Sequence, residues 1–201
     1  MTMSGQRKVV PAIERRTAVA RILAKRGDAL VVTGIGNAAS DVAAAGDRPE
    51  NMYLAGIMGG ASMVGFGVAC AQPKRRVVVI TGDGEIMAGI GSLATIGVEK
   101  PDNLAIVVID NQVFAATGMQ QTHTARGVDI AGIARASGFP RADVVTTMDG
   151  VEAHLAEILE RPGPYLIVLK VQAKPMDRVE VPRDGTFVAR RFRRAATGAE
   201  D

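Results

Sequence analysis

Apolar residues in this chain gather into six short runs, at 29–34, 52–56, 77–81, 103–111, 142–147 and 165–171, most of them closed by Gly or Asn. Runs of this length, rich in Val and Ile and bounded by turn residues, predict buried strands. Between them the apolar spacing lengthens to a helical one. Ile13, Val19, Ile22 and Leu23 form one stripe, with Arg15, Arg16, Arg21, Lys25 and Arg26 on the remaining faces, and Gly27 ends that helix. Further helices are expected in the alanine-rich stretch after Asn37 and at 59–72, 86–98, 127–138 and 149–160, the last capped by Asp149. Strand and helix alternate throughout, which predicts an α/β fold: a doubly wound, six-stranded parallel sheet with helices on both faces. Residues 1–12 read as a loose lead-in, 1–175 as a single domain, and 176–201 as a polar, basic C-terminal tail.

Two turns concentrate the chemistry. The run at 77–81 stops at Gly82-Asp83-Gly84-Glu85, and the run at 103–111 stops at Asp110-Asn111. In a parallel sheet both points fall at carboxyl ends, the edge where open α/β sheets bind ligands. Gly82 and Gly84 let the backbone approach a ligand, and the N–H groups opening the next helix favour an anion such as a phosphate. Asp83 opposes a bare phosphate unless a cation lies between them. A carboxylate with an amide or carbonyl is the hard-oxygen set suited to Mg²⁺ or Ca²⁺. The pattern therefore reads as a metal-bridged diphosphate site, and it lacks the Gly-Lys-Ser/Thr ending of a P-loop. Gly34-x-Gly36 after the first strand is half of a dinucleotide fingerprint. Its third small residue is Ala39 and its acidic residue, Asp47, falls short of the usual distance of about twenty residues, so NAD is the weaker alternative.

These motifs resemble the thiamine diphosphate enzymes, most closely the β-type subunit of sulfopyruvate decarboxylase and the matching half of phosphonopyruvate decarboxylase. The blocks that carry the likeness are MYLAGIMGGAS at 52–62, ITGDGE at 80–85, GSLATIG at 91–97, NLAIVVIDN at 103–111 and TGMQQTHT at 117–124, together spanning roughly residues 28–172. The resemblance implies thiamine diphosphate and Mg²⁺ as cofactors, with Asp83, Asn111 and the Val113 carbonyl as metal ligands. It assigns Gly34, Gly56, Met58, Gly82, Gly84, Glu85 and Phe114 to the cofactor. Gly56 would offer its carbonyl to the aminopyrimidine, and Met58 would wedge beneath the cofactor and force its bent shape. Met58 alone would otherwise pass for a gap-filling core residue. The implied reaction is decarboxylation of a 2-oxoacid to an aldehyde and CO₂, with carboligation, another 2-oxoacid, or a non-catalytic assembly role as alternatives.

The family also needs a Glu on a separate pyrimidine-binding domain, for which this chain has no room. The resemblance thus implies a second subunit that supplies the catalytic Glu, and self-association through the helix at 86–98. Between Asn111 and Gly127 lies a stretch without strong period, and structureless loops of that length are usually functional. It holds Gln120 and His123, the candidates for orienting or protonating substrate, among Thr117, Gln121, Thr122 and Thr124. His154 falls in an amphipathic helix and reads as surface.

Composition narrows the rest. Apolar residues make up 47% of the chain, with 23 Gly and no Trp, which suits a tightly packed small-residue core. Net charge is only +3 and the basic residues collect at the two ends, which argues against a nucleic-acid partner. Arg190, Arg191, Arg193 and Arg194 mark the tail as a solvated or partner-docking arm. Cys70 has no second cysteine to pair with and reads as a small buried hydrophobe. No apolar stretch is long enough to span a membrane, and the N-terminus lacks a signal-peptide pattern, so a cytoplasmic protein is expected.

Overall fold

The computed structural model describes residues 12–198, so the expected lead-in falls almost wholly outside the described residues. Helix α1, Arg15–Ala24, opens on Glu14, whose carboxylate accepts from the Arg16 and Thr17 amides. Strand β1, Leu30–Thr33, leads to α2, Asn37–Ala44; β2, Asn51–Tyr53, leads to α3, Ala61–Ala71. Strand β3, Val77–Gly82, runs directly into α4, Asp83–Ala88, and α5, Ser92–Glu99, precedes β4, Leu104–Asp110. A small hairpin follows, β5, Val113–Phe114, with β6, Gln120–Gln121. Helix α6, Ile130–Ala136, is capped by Asp129 and leads to β7, Arg141–Val145. The chain closes with α7, Met148–Ala153, α8, Leu155–Leu159, β8, Tyr165–Lys170, and α9, Gly185–Thr197.

Six strands form one parallel sheet in the order β2-β1-β3-β4-β8-β7. Strand alternation explains why their sequences read as unbroken apolar runs. Val78, Ile80, Val107 and Ile167 face the layer of α1, α2, α7 and α8, while Val77, Val79, Ile106 and Val168 face that of α3, α5 and α6. The chain leaves β1 outward to β2 and returns to β3 on the other side. The strand order therefore reverses between β1 and β3, which opens a crevice at their carboxyl ends.

Several sequence expectations change. The helix expected at 86–98 begins at Asp83 and breaks at Gly89–Gly91, where the Gly59 backbone packs so closely on Gly89 that a Cβ would lie 2.0 Å from the Gly59 carbonyl. The helix at 149–160 is interrupted at His154 and capped by Thr147, not Asp149. Cys70 is exposed: α3 turns Ala61, Ser62, Gly65 and Ala69 inward, which leaves position 70 on the outer face. The largest correction concerns the tail, which is not a solvated arm. Asp184 caps α9, and the i, i+4 pair Val188 and Phe192 is buried beside the sheet, while Arg191 bonds both carboxylate oxygens of Asp47. Among the described residues no helix is long and apolar enough to cross a membrane.

Candidate active site

The ends of β3 and β4 bring Asp83 and Asp110 together, both essentially without solvent exposure, at 2% and 0%. The loop after β4 folds back over them. Thr124 Oγ lies 3.0 Å from Asp83 Oδ2 and 2.8 Å from Asp110 Oδ1, and Thr122 Oγ donates to Asp83 Oδ2. Lys170, at the end of β8, pairs with Asp110. Among the described residues Asp83 has no such cation. Its side-chain partners are hydroxyls, both on Oδ2. Burial, with the nearby Asp110 charge adding to it, pushes its carboxyl above the usual range against the hydrogen bonds from Thr122 and Thr124.

Glu85 ties the β3 turn to the β1 turn. Its Oε2 accepts from Thr81 Oγ at 2.8 Å and from the Ile35 amide at 3.2 Å. A Cβ at Gly34 would sit 1.4 Å from Oε2, so a larger residue there would displace the Glu85 carboxylate. Burial raises the Glu85 carboxyl against these bonds, and Oε1 is buried with no partner. An orphaned acceptor at this depth is costly unless something else meets it.

The crevice between these turns is a cavity of about 150 Å³ whose walls include Ile35, Met58, Asp83, Glu85, Asn111 and Phe114. Gly82, Gly84 and Val113 also line it. Phe114 packs so closely on Gly84 that a Cβ there would meet its ring at 2.3 Å. Met58 and Ile57 are half exposed at the mouth, at 49% and 50%, on a loop that Gly56 turns with φ +77. Gln120 and His123 are not brought into this cavity. Gln120 is exposed and bonded to Thr117, with 2.9 Å from the Thr117 hydroxyl to its Oε1, and His123 is exposed at the start of a 3-10 turn. Lys170 escaped sequence reasoning, although a lysine ending an otherwise apolar strand is the signal that could have found it. The pairing of Thr122 and Thr124 with Asp83 has no sequence signal, since the bonded residues lie about forty apart.

The residues fit a divalent metal. Asp83 offers a buried carboxylate with no cationic partner, Asn111 an amide oxygen that also accepts from the Val113 amide at 3.1 Å, and Val113 a carbonyl. Among the described residues no three His, Cys, Asp or Glu side chains gather, so a metal here would rest on mixed oxygen donors, the chemistry of Mg²⁺.

Comparisons with known proteins bear on the family and the fold. The family model described as thiamine pyrophosphate enzyme, C-terminal TPP binding domain, matches residues 34–169. Phosphonopyruvate decarboxylase of Streptomyces viridochromogenes is 38% identical over 185 residues, covering 91% of this chain and 46% of the relative. The chain thus spans about half the length of that relative. Sulfopyruvate decarboxylase subunit beta of Methanothermobacter thermautotrophicus is 33% identical over 189 residues, 94% of this chain and 98% of the relative. Benzoylformate decarboxylase from Polynucleobacter necessarius shares the fold, with a TM-score of 0.67 at 17% identity over 88% of this chain and 36% of that one. With more than half of its length matched by the family model and the crevice lying inside the match, the chain belongs to the thiamine pyrophosphate enzyme family, as its C-terminal TPP-binding domain.

Proposed function

We propose that this chain is the diphosphate-binding subunit of a thiamine diphosphate- and Mg²⁺-dependent decarboxylase that converts a 2-oxoacid of the sulfopyruvate or phosphonopyruvate type to an aldehyde and CO₂. The observation that carries the reading is Asp83, a buried carboxylate without a cation at the point where the strand order reverses. The names and coverage of the relatives support the reaction and the subunit role.

When bound, thiamine diphosphate supplies the electron sink that lets CO₂ leave a 2-oxoacid. The chain's own residues do the rest. Asp83, Asn111 and the Val113 carbonyl would hold Mg²⁺ against the diphosphate, and the glycines at 82 and 84 admit the phosphates close to the backbone. Glu85 beside Gly34 fixes the β1 turn against the β3 turn, Phe114 walls the crevice, and Met58 with the Gly56 carbonyl would buttress the ring end of the cofactor. Gln120 and His123 sit on the hairpin side, where closure against a partner would bring them to substrate. A separate pyrimidine-binding subunit is proposed to supply the catalytic Glu, with self-association of this chain through the stretch 86–98 that α4 and α5 share. The working compartment is proposed to be the cytoplasm.

Titration calorimetry of the chain with thiamine diphosphate and Mg²⁺, with and without a pyrimidine-binding partner, tests the reading. Mg²⁺-dependent binding that Asp83→Ala abolishes, and turnover of sulfopyruvate or phosphonopyruvate that appears only with the partner, are the expected results. Full turnover by the chain alone would overturn the subunit role.

A further inference from the structure

A second cavity, of about 280 Å³, adjoins the first and shares Asn37, Asn111 and Ala115 with it. Its other walls come from opposite ends of the chain: Arg15 on α1, and Lys174 in the segment after β8. Among the described residues no carboxylate lines it. Arg15 is only 3% exposed, and its Nε is buried without a hydrogen-bond partner. Its guanidinium pairs with Asp41, but the same carboxylate also accepts from Arg16 Nε at 3.2 Å, so two positive groups share one negative one. Lys174 is exposed and pairs with no carboxylate among the described residues. Two cations and two amide side chains around a space with no acid form a setting for a multi-oxygen anion, because guanidinium and ammonium donors are best satisfied by charged oxygens.

We propose that this cavity is an oxyanion site that takes a tetrahedral phosphate-, phosphonate- or sulfonate-class group through Arg15 and Lys174, with Asn37 and Asn111 at its opening toward the crevice. The inference rests on the function proposed above, since it joins the site to the cofactor crevice. Met58 lines the first cavity but not the second, so the anion lies away from the ring end. That position suits the terminal phosphate of the bound cofactor. An acidic group carried on a separate ligand has the same chemistry, and the experiment separates the two sources.

Lys174→Gln is the primary variant because the side chain is exposed and its loss leaves no buried group unpaired. Arg15→Lys is the second, since it keeps the charge beside Asp41. Lys74→Gln, an exposed lysine at the opposite edge of the sheet, controls for general loss of positive charge. The full chain is titrated by calorimetry with thiamine diphosphate and thiamine monophosphate, each with Mg²⁺, and with phosphonoacetate and sulfoacetate alone. If the terminal phosphate is the occupant, Lys174→Gln weakens thiamine diphosphate about tenfold and leaves the monophosphate and Lys74→Gln unchanged, as expected for one charge-assisted hydrogen bond. If a ligand's acid group is the occupant, phosphonoacetate or sulfoacetate loses about tenfold instead and the cofactor does not. Wild-type affinities for every probe in both Lys174→Gln and Arg15→Lys overturn the site and leave the cofactor reading intact. Failure of the wild type to bind thiamine diphosphate even with a pyrimidine-binding partner overturns the cofactor reading, whereas phosphonoacetate binding lost in Lys174→Gln still supports the anion site.

Discussion

Asp83 directly after β3 and Asp110 at the end of the adjacent β4 are almost equally buried and share the hydroxyl of Thr124, yet among the described residues only Asp110 has a lysine. A carboxylate withdrawn from water persists in its charged form only if a positive group compensates it. For Asp110 the fold supplies that group from the neighbouring strand β8. For Asp83 it does not, and the crevice opens on that side. One position is thus a structural ion pair and the other is free for the cation proposed above, although the two residue types are identical.

Exchanging carboxylate for amide separates them most sharply. Asp83→Asn is expected to weaken Mg²⁺-dependent cofactor binding by at least about a hundredfold, the scale of losing a charged metal ligand. The same change should not lower the melting temperature of the metal-free chain, because it removes an uncompensated charge. A clear drop in that temperature would mean that Asp83 is structural. Lys170→Met is the converse experiment. It strands Asp110 and should cost about 2 kcal/mol in denaturant unfolding, less than for a fully buried pair because Lys170 is 24% exposed.

The pH dependence of stability sharpens the contrast further. Burial raises the folded-state carboxyl of Asp83 above its unfolded value, and likewise that of Glu85. Stability from these groups is complete below the unfolded value and declines as pH rises through the raised folded values. The contribution of these two carboxyls to the stability of the metal-free chain should therefore fall as pH rises above the ordinary carboxylate range. Saturating Mg²⁺ with thiamine diphosphate should remove the Asp83 part of that loss, as should Asp83→Asn, which thermal melts across the range will show. The smallest effect is expected for Thr122→Val, which deletes one hydroxyl that fastens the hairpin loop to Asp83. A loss of about 1 kcal/mol, with faster proteolysis within residues 112–127, would mark the bond as a clamp on the loop.

Much of the fold follows from local pattern. The runs at 77–81, 103–111 and 165–171 lie on central strands covered on both faces, so their apolar character is continuous and their length unambiguous. The weaker expectations fall where tertiary contact outweighs local pattern. Gly89 breaks a helix because the Gly59 backbone passes against it, and α9 holds in place through two apolar residues, Val188 and Phe192, set among arginines. A row of arginines looks solvated until Asp47, far away in sequence, is placed beside Arg191.

At the site, Gly82-Asp83-Gly84 and Asn111 stand out in the sequence because small residues, a carboxylate and an amide at strand ends form a chemically unusual group. The sequence by itself determined the alternation of strands and helices, and it pointed to the edge on which the ligand is proposed to lie and to the oxygen donors proposed to face it, since each depends on residue type and short-range spacing. Only the tertiary structure decided that Lys170 neutralises Asp110 and leaves Asp83 without a cation, that Glu85 spans two turns against Gly34, and that Arg15 and Lys174 meet around one cavity. Those are charge and contact relations between segments distant along the chain, and strand order, not local sequence, sets the distances between them.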